Sequence, residues 1–225
     1  RDVAFSPQVI FDCWQVPFAA PAVYQDDRLR VVINPQLDGD EAVTVLHTAQ
    51  DGRTSVALLP CVAQSLQRTR CDWDAGALTE DSLRQGLIQA GIVMHGADNP
   101  YYLPQRGRAL WLAEAEAEAD ADGIRRLGAH DAALFAAFEV QTNPVGWAAA
   151  QVDLDDWAVF GLFSRGGQGE QLLSAASIYP WGDSLADVGI LTLASARGAG
   201  HATRLLRAVG RYAMAKGFEL QYRSQ

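Results

Sequence analysis

The sequence has little cysteine, little basic charge and no long apolar run. Cysteine occurs three times, as Cys13, Cys61 and Cys71, and no two form a Cys-x-x-Cys pair. An odd number without that spacing argues against a disulfide framework and a zinc site, so we expect reduced thiols and no metal. No run approaches the roughly 18 apolar residues of a membrane span, and no signal-peptide pattern opens the chain. We therefore expect a cytoplasmic protein without a membrane partner.

Acidic residues outnumber basic residues by 27 to 18, which gives a formal net charge of −9 at pH 7. This balance disfavours nucleic acid as a partner, because nucleic-acid surfaces need clustered Lys and Arg. It favours cationic ligands such as amines through long-range attraction, although solubility alone would account for the same charge. The length of 225 residues and the hydrophobic content of 49% indicate one large or two small globular domains.

Alanine alternates with acidic residues over residues 113–122, which suggests a boundary between domains. No large apolar residue fixes either face of this segment, so we interpret it as a linker. It would separate an N-terminal domain, residues 1–112, from a C-terminal domain, residues 123–225. The chain starts with Arg1 rather than Met, so we expect it to be incomplete at that end.

The N-terminal domain has an α+β pattern without a glycine-rich loop. Thr79 is a candidate N-cap of a helix that would end at Gly91. Leu83, Leu87 and Ile88 of this helix are expected to face inward. We predict a structural or substrate-shaping role for the domain. Runs typical of strands lie at 29–33, 42–48, 54–59 and 92–94.

The most informative stretch is a strand, a glycine-rich turn and a helix near the end of the chain. The run 187–193 has the length and apolar content of a strand. Gly198 and Gly200 permit positive φ and close backbone approach. From Thr203 apolar residues recur at helical spacing up to a stop signal at 216–217. Such a turn points free N–H groups and the positive end of a helix dipole at one place, which predicts a phosphate or pyrophosphate site.

The pattern Arg197-x-x-Gly200-x-Ala202 resembles motif A of the GNAT family of N-acetyltransferases. The segments 174–177, 179–181, 186–192 and 221–225 look like one bacterial subgroup of that superfamily. From residue 123 onward the predicted order is strand, helix, three strands, glycine turn, helix and strand, which is the GNAT order.

A Rossmann fingerprint competes with this resemblance. Gly198-x-Gly200-x-x-Thr203 nearly fits the dinucleotide pattern, and Glu219 lies near the expected ribose-binding position. A dinucleotide fold needs further βα units after its fingerprint strand, and six residues follow Glu219. A turn without any ligand is the third alternative.

The GNAT resemblance implies an α+β fold with a mixed, mostly antiparallel sheet. A smaller α+β N-terminal domain precedes it in the chain. It implies an N-acetyltransferase that moves the acetyl group of acetyl-CoA to a primary amine by direct attack. A backbone N–H on the strand would stabilise the oxyanion. The strand residues implied to hold pantetheine and the thioester are Ile190, Leu191 and Thr192. The loop residues implied to hold the pyrophosphate are Arg197, Gly198, Ala199, Gly200, His201, Ala202 and Thr203.

The resemblance gives less guidance on proton transfer. Asp187 lies one position from the family's usual glutamate, and a bulge could re-aim it to act as a base, provided no cation sits beside it. An aspartate that makes only a turn hydrogen bond is the equal alternative. Many members of the family use a tyrosine as general acid, on a helix that would follow Gln225. The domain is therefore expected to be truncated and to expose the edge of its last strand. Tyr179 and Tyr222 are distant substitutes. A non-catalytic acyl-CoA-binding protein and a homodimer both stay open.

Overall fold

The computed structural model describes residues 7–49, 51–68, 78–114, 123–164 and 170–224. It divides into two compact units, an N-terminal unit, Phe11–Ala97, and a C-terminal unit that consists of the residues from Asp98 onward together with the described residues up to Ile10. Residues 115–122 of the predicted linker lie outside the described ranges, as do residues 165–169.

The N-terminal unit is an α+β layer built on a four-stranded sheet. Strand order is β1-β2-β4-β3, with β2 and β4 parallel and the other pairs antiparallel. Apolar residues from β2 and β4 pack against α2 and α3 to form its core. Helix α1 (Pro7–Gln15) includes residues of both units. The other elements of the N-terminal unit are β1 (Ala22–Gln25), β2 (Leu29–Ile33), β3 (Val43–Thr48), β4 (Arg53–Leu58), α2 (Pro60–Arg68) and α3 (Glu80–Gln89).

Helix α3 shows how local sequence sets its ends. The hydroxyl of Thr79 accepts from the N–H of Ser82 at 3.1 Å, and the hydroxyl of Ser82 accepts from the N–H of Thr79 at 3.0 Å. Gly91, with φ of +76°, ends the helix as predicted. The prediction for Ile88 was wrong, because this side chain is 64% exposed. The strand expected at 92–94 is also absent, and those residues form a connection without regular structure.

The C-terminal unit is a six-stranded sheet with helices on both faces. Strand order is β5-β10-β9-β8-β7-β6, and β9–β10 is the parallel pair among otherwise antiparallel neighbours. This mixed, mostly antiparallel sheet confirms the predicted fold class. The elements are β5 (Asn99–Tyr102), α4 (Gln105–Glu114), β6 (Ile124–Leu127), α5 (Ala132–Val140), α6 (Pro144–Ala150), β7 (Ala158–Phe163), β8 (Leu172–Trp181), β9 (Leu185–Thr192), α7 (His201–Ala215) and β10 (Glu219–Ser224).

Alternation along β9 assigns its side chains to two cores. Ala186 and Val188 pack against Leu205, Val209 and Ala213 of α7 on one face. On the other face, the aromatic residues of α5 and α6 pack against β7 and β8. Because successive side chains of a strand point to opposite faces, Asp187 lies on the face away from α7.

Strand β5 corrects the domain organisation expected from sequence. Residues 99–112 were assigned to the N-terminal domain and residues 113 and 114 to the linker, but β5 pairs antiparallel with β10, and α4 packs on α7 through Trp111 and Gly210. The outer edge of β10 is therefore covered rather than exposed. Pro100 is tolerated because β5 is an edge strand, where a missing N–H need not break a ladder. Four residues that include proline carry too weak a pattern to be read as a strand.

The contact between α6 and β9 predicts a large effect for one substitution. A Cβ at buried Gly189 would overlap the carbonyl oxygen of Ala150 and lie 3.0 Å from that of Gln151. Gly189→Ala should lower the free energy of unfolding by about 1–3 kcal/mol, since backbone cannot yield as a side chain does. Calorimetry should show a lower melting temperature. The control is Gly146→Ala in α6, where the new Cβ meets Leu191 at an ordinary 3.8 Å. Equal melting temperatures for both variants would contradict the prediction.

Candidate functional site

Strands β9 and β10 separate part way along their length. Their pairing covers Leu185 with Glu219, Ala186 with Leu220, and Asp187 with Gln221. Beyond that point β10 pairs with β5, whereas β9 continues to Thr192 beside β8. A cleft therefore opens between 188–192 of β9 and 222–224 of β10. Within the described residues, the β9 backbone has no strand partner on the cleft side.

The predicted strand residues lie along the open part of this cleft. Ile190 packs toward α7, and Leu191 packs on the opposite face. The hydroxyl of Ser174 on β8 donates to the carbonyl oxygen of Leu191 at 2.9 Å and lies 2.7 Å from the hydroxyl of Thr192. These bonds hold the end of β9 to β8 and leave its other edge to the cleft.

The glycine-rich turn follows directly from this strand end. Gly198 and Gly200 have φ of +81° and +74°, and a Cβ on either would meet nothing within 4 Å. Helix α7 begins at His201, two residues earlier than the apolar periodicity predicted, because Gly200 acts as its N-cap. The first intrahelical bond runs from the Arg204 N–H to the Gly200 carbonyl. The amides of residues 201–203 precede it, as in any first turn.

Arg197 immediately precedes the glycine turn in the chain. Its Nε donates to the carbonyl oxygen of Thr192 at 3.4 Å, so the side chain folds back along the end of β9. Residues 197–200, 202 and 203 are exposed, and His201 is half-buried. Open space over two glycines, helix-terminal amides and one adjacent guanidinium together suit a diphosphate group.

A row of four polar side chains crosses the sheet at the closed end of the cleft. Tyr179, Asp187, Gln221 and Tyr102 are register neighbours on β8, β9, β10 and β5. The Tyr179 hydroxyl donates to Asp187 Oδ2 at 2.6 Å, and Gln221 Nε2 donates to Asp187 Oδ1 at 3.2 Å. The Tyr102 hydroxyl donates to Gln221 Oε1 at 2.6 Å. The two central residues of the row, Asp187 and Gln221, are the last pair that joins β9 to β10.

Arg223 adds a cation to this row. Its Nε and Nη2 lie 2.8 and 2.7 Å from Asp187 Oδ2, and Nη2 also donates to the Tyr179 hydroxyl oxygen at 2.9 Å. Its Nη1 lies 3.2 Å from Oδ2 of Asp98. The guanidinium carbon sits 4.5 Å from the centre of the Trp181 ring. Burial and the hydrogen bond to Asp187 raise the pKa of Tyr179 to about 12.

This geometry gives Asp187 different surroundings from those the sequence suggested. The residue is 4% exposed, and its Oδ2 accepts from both Tyr179 and Arg223. The cation that a basic role had to avoid is therefore present. Catalysis by Asp187 stays a prediction, and the contacts favour a counter-ion to Arg223. The sequence did not predict that these side chains contact Asp187, although the alternation of polar residues at 219, 221 and 223 signals a polar face of β10.

The residue expected at a Rossmann ribose site lies in different surroundings. Glu219, which a Rossmann site would present to a ribose, is buried and paired with Arg108 of α4. The sheet is not the parallel one that such a site requires.

Cys13 and Cys61 are free thiols. No cluster of three or more metal-binding side chains occurs in the described ranges. Among the helices described, none has the length and apolar character to cross a membrane.

No model of a known protein family matches the sequence, and no curated protein matches it significantly. Three solved structures show partial likeness. An acetyltransferase assigned to the GNAT family from Novosphingobium aromaticivorans is 26% identical over 47% of this chain and 45% of its own, with a TM-score of 0.36. A GNAT-family acetyltransferase from Colwellia psychrerythraea is 19% identical over 47% of this chain and 40% of its own, with a TM-score of 0.36.

The third structure is a conserved protein of unknown function from Staphylococcus epidermidis. It is 13% identical over 94% of this chain and 86% of its own length, with a TM-score of 0.38. This chain thus spans less than half the length of the two acetyltransferases it matches. All three TM-scores are low, so the likeness carries no argument about activity.

The raised pKa of Tyr179 predicts how stability depends on alkaline pH. A phenol that ionises near 12 when folded and near 10 when unfolded contributes stability that is complete below pH 10. That contribution is lost as pH rises from 10 toward 12, because the unfolded chain releases the proton first. Tyr179→Phe should flatten this decline in denaturant unfolding. Tyr222→Phe, at an exposed position on β10, is the control and should follow the wild-type curve. Identical curves for Tyr179→Phe and wild type would refute the assignment.

Proposed function

We propose that the C-terminal unit binds an acyl-coenzyme A in the cleft and transfers its acyl group to an amine, as in the GNAT family of acetyltransferases. The observation that carries this proposal is the early end of β9–β10 pairing beside a glycine turn that starts α7. An extended ligand with a diphosphate at one end fits that combination. Acetyl-CoA is the simplest donor of this kind.

Each part of the cleft has a role in this proposal. The amides of residues 201–203 and the side chain of Arg197 hold the pyrophosphate. The free edge of β9, over Ile190 to Thr192, receives the pantetheine arm by backbone hydrogen bonds. A backbone N–H on that edge polarises the thioester carbonyl, which is the usual function of an oxyanion donor. The amine then approaches from the face that carries Asp187.

Direct attack by the amine fits the residues present. The sequence has no cysteine after Cys71, so the strand and turn residues assigned here to the cleft offer no thiol for an acyl-enzyme. Because Asp187 is paired with Arg223, we propose that water, rather than this carboxylate, takes the proton of the amine. The contrasting proposal is a protein that binds acyl-CoA without catalysis. It predicts coenzyme A binding in calorimetry and no thiol release with any member of an amine panel.

Binding of coenzyme A tests the glycine turn. Gly200→Val forces a side chain into φ of +74°, which costs about 1–2 kcal/mol of stability, and fills the open space above the turn. We expect affinity for coenzyme A in isothermal calorimetry to fall at least about tenfold, equivalent to 1.4 kcal/mol. Gly217→Val is the matched control, since Gly217 has φ of +86°, equally open space and a place at the far end of α7. Equal affinity of the two variants for coenzyme A would show that the turn does not bind it.

The pH dependence of transfer separates two roles for Asp187. Loss of a general base costs roughly 10²–10⁴-fold in rate, and the loss shrinks as pH rises and free amine accumulates. Loss of the counter-ion of Arg223 lowers the rate by a factor that does not change with pH. We expect Asp187→Asn to give the second pattern in thiol-release rates between neutral and alkaline pH. A loss that disappears at alkaline pH would instead assign Asp187 as the base.

A further inference from the structure

Arg223 crosses the closed end of the cleft. It lies on β10 two residues beyond Gln221, the last residue that pairs with β9. Its side chain reaches back over the gap to Asp187 on β9 and Tyr179 on β8. A positive charge is therefore held at the position where the two strands part.

The surroundings of this guanidinium keep it charged and fixed. Its side chain is 21% exposed and that of Asp187 is 5% exposed. Burial opposes the charge, but the hydrogen bonds and negative charge of Asp187 outweigh it and raise the pKa of Arg223. The group thus stays protonated and has no proton to give. A permanently charged, planar donor is suited to stabilising an anion.

One donor of Arg223 remains for a ligand. Nε and Nη2 are directed at Asp187 and Tyr179, whereas Nη1 carries two N–H groups and has Asp98 as its partner at 3.2 Å. Within the part of the chain that the structure describes, the second Nη1 hydrogen has no hydrogen-bond acceptor. Asp98 itself is 35% exposed, so water screens its charge more than that of Asp187.

We propose that Arg223 stabilises the negative charge on the sulfur of coenzyme A, so that the thiol leaves as an anion. The proposal rests on the proposed function. In the transfer, the amine nitrogen bonds to the thioester carbonyl carbon, the C–S bond breaks with its electron pair on sulfur, and the amine proton passes to water. A thiolate stabilised by a fixed guanidinium leaves without being protonated.

Three ionisable groups face the guanidinium and determine its net effect. Asp187 on β9 is its buried counter-ion, and Tyr179 on β8 stays neutral below alkaline pH. Asp98, just before β5, opposes any anion near Nη1. The proposal therefore predicts opposite effects for two substitutions. Loss of Arg223 should disfavour the thiolate, and loss of the Asp98 charge should favour it.

The experiment measures the thiol pKa of free coenzyme A bound to the full chain, from the ultraviolet absorbance of its thiolate. The matched blank is the complex with desulfo-coenzyme A, which cancels the signal of the protein's own cysteines and tyrosines. Cationic neighbours lower thiol pKa values by one to several units from about 8.5. We expect the bound thiol to ionise at least about one unit below the free thiol in the wild type.

The variants give an ordered result. Arg223→Gln should raise the thiol pKa by about one unit, Arg223→Lys should stay near wild type, and Asp98→Asn should lower it. The double variant Asp187→Asn with Arg223→Gln removes both charges, so it covers the case in which Arg223→Gln leaves a buried carboxylate that prevents folding. Because the fixed cation is gone, the thiol pKa of the double variant should still lie above that of the wild type.

Different results would overturn the proposed function and the role of Arg223. Absence of coenzyme A binding by the wild type in calorimetry would overturn the proposed function and this inference with it. Binding with the same thiol pKa in all variants would overturn the role of Arg223 alone. A reversed order, with Asp98→Asn raising the pKa, would do the same.

Discussion

The parallel pairing of β9 with β10 stops at Asp187 and Gln221, and the shape of the C-terminal unit's cleft depends on that stop. Up to this residue pair the strands share hydrogen bonds, and beyond it each pairs only with its outer neighbour, β8 or β5. The row from Tyr179 to Tyr102 ties four strands together at the same level. The cleft therefore has a polar closed end held by side chains and an open end that leads to the glycine turn.

The centre of the polar row is buried, so its stability depends on complete hydrogen bonding. Asp187 and Gln221 are almost fully buried, so each must keep its hydrogen-bond partners or pay a large desolvation penalty. A charged pair in such a place stabilises less than its short distances suggest, because both ions leave water. Its value is in fixing positions: Arg223, clamped by Asp187, Tyr179 and Asp98 over Trp181, has one orientation rather than several. A fixed charge needs no reorganisation when an anion forms beside it.

Strand β5 and the residue before it contribute side chains to this cleft. Through Tyr102 the strand supports Gln221, and the adjacent Asp98 contacts Arg223. The same strand covers the outer edge of β10, which would otherwise offer unpaired backbone groups to another chain. One four-residue segment thus protects the sheet edge and completes the polar row. Substitutions in 98–102 are therefore expected to act on the cleft, even though the sequence places them far from its motif.

The sequence by itself determined the local features. Hydrophobic patterning located β9 and most of α7, and the glycines at 198 and 200 predicted the positive φ values that the turn adopts. Those signals are short-range, because they come from side-chain alternation and backbone sterics within one element. Tertiary structure alone decided that β5 joins β10, and that Arg223 meets Asp187 36 positions away. Such pairings depend on which distant strands become neighbours, and no local pattern encodes the charge that a buried carboxylate will finally face.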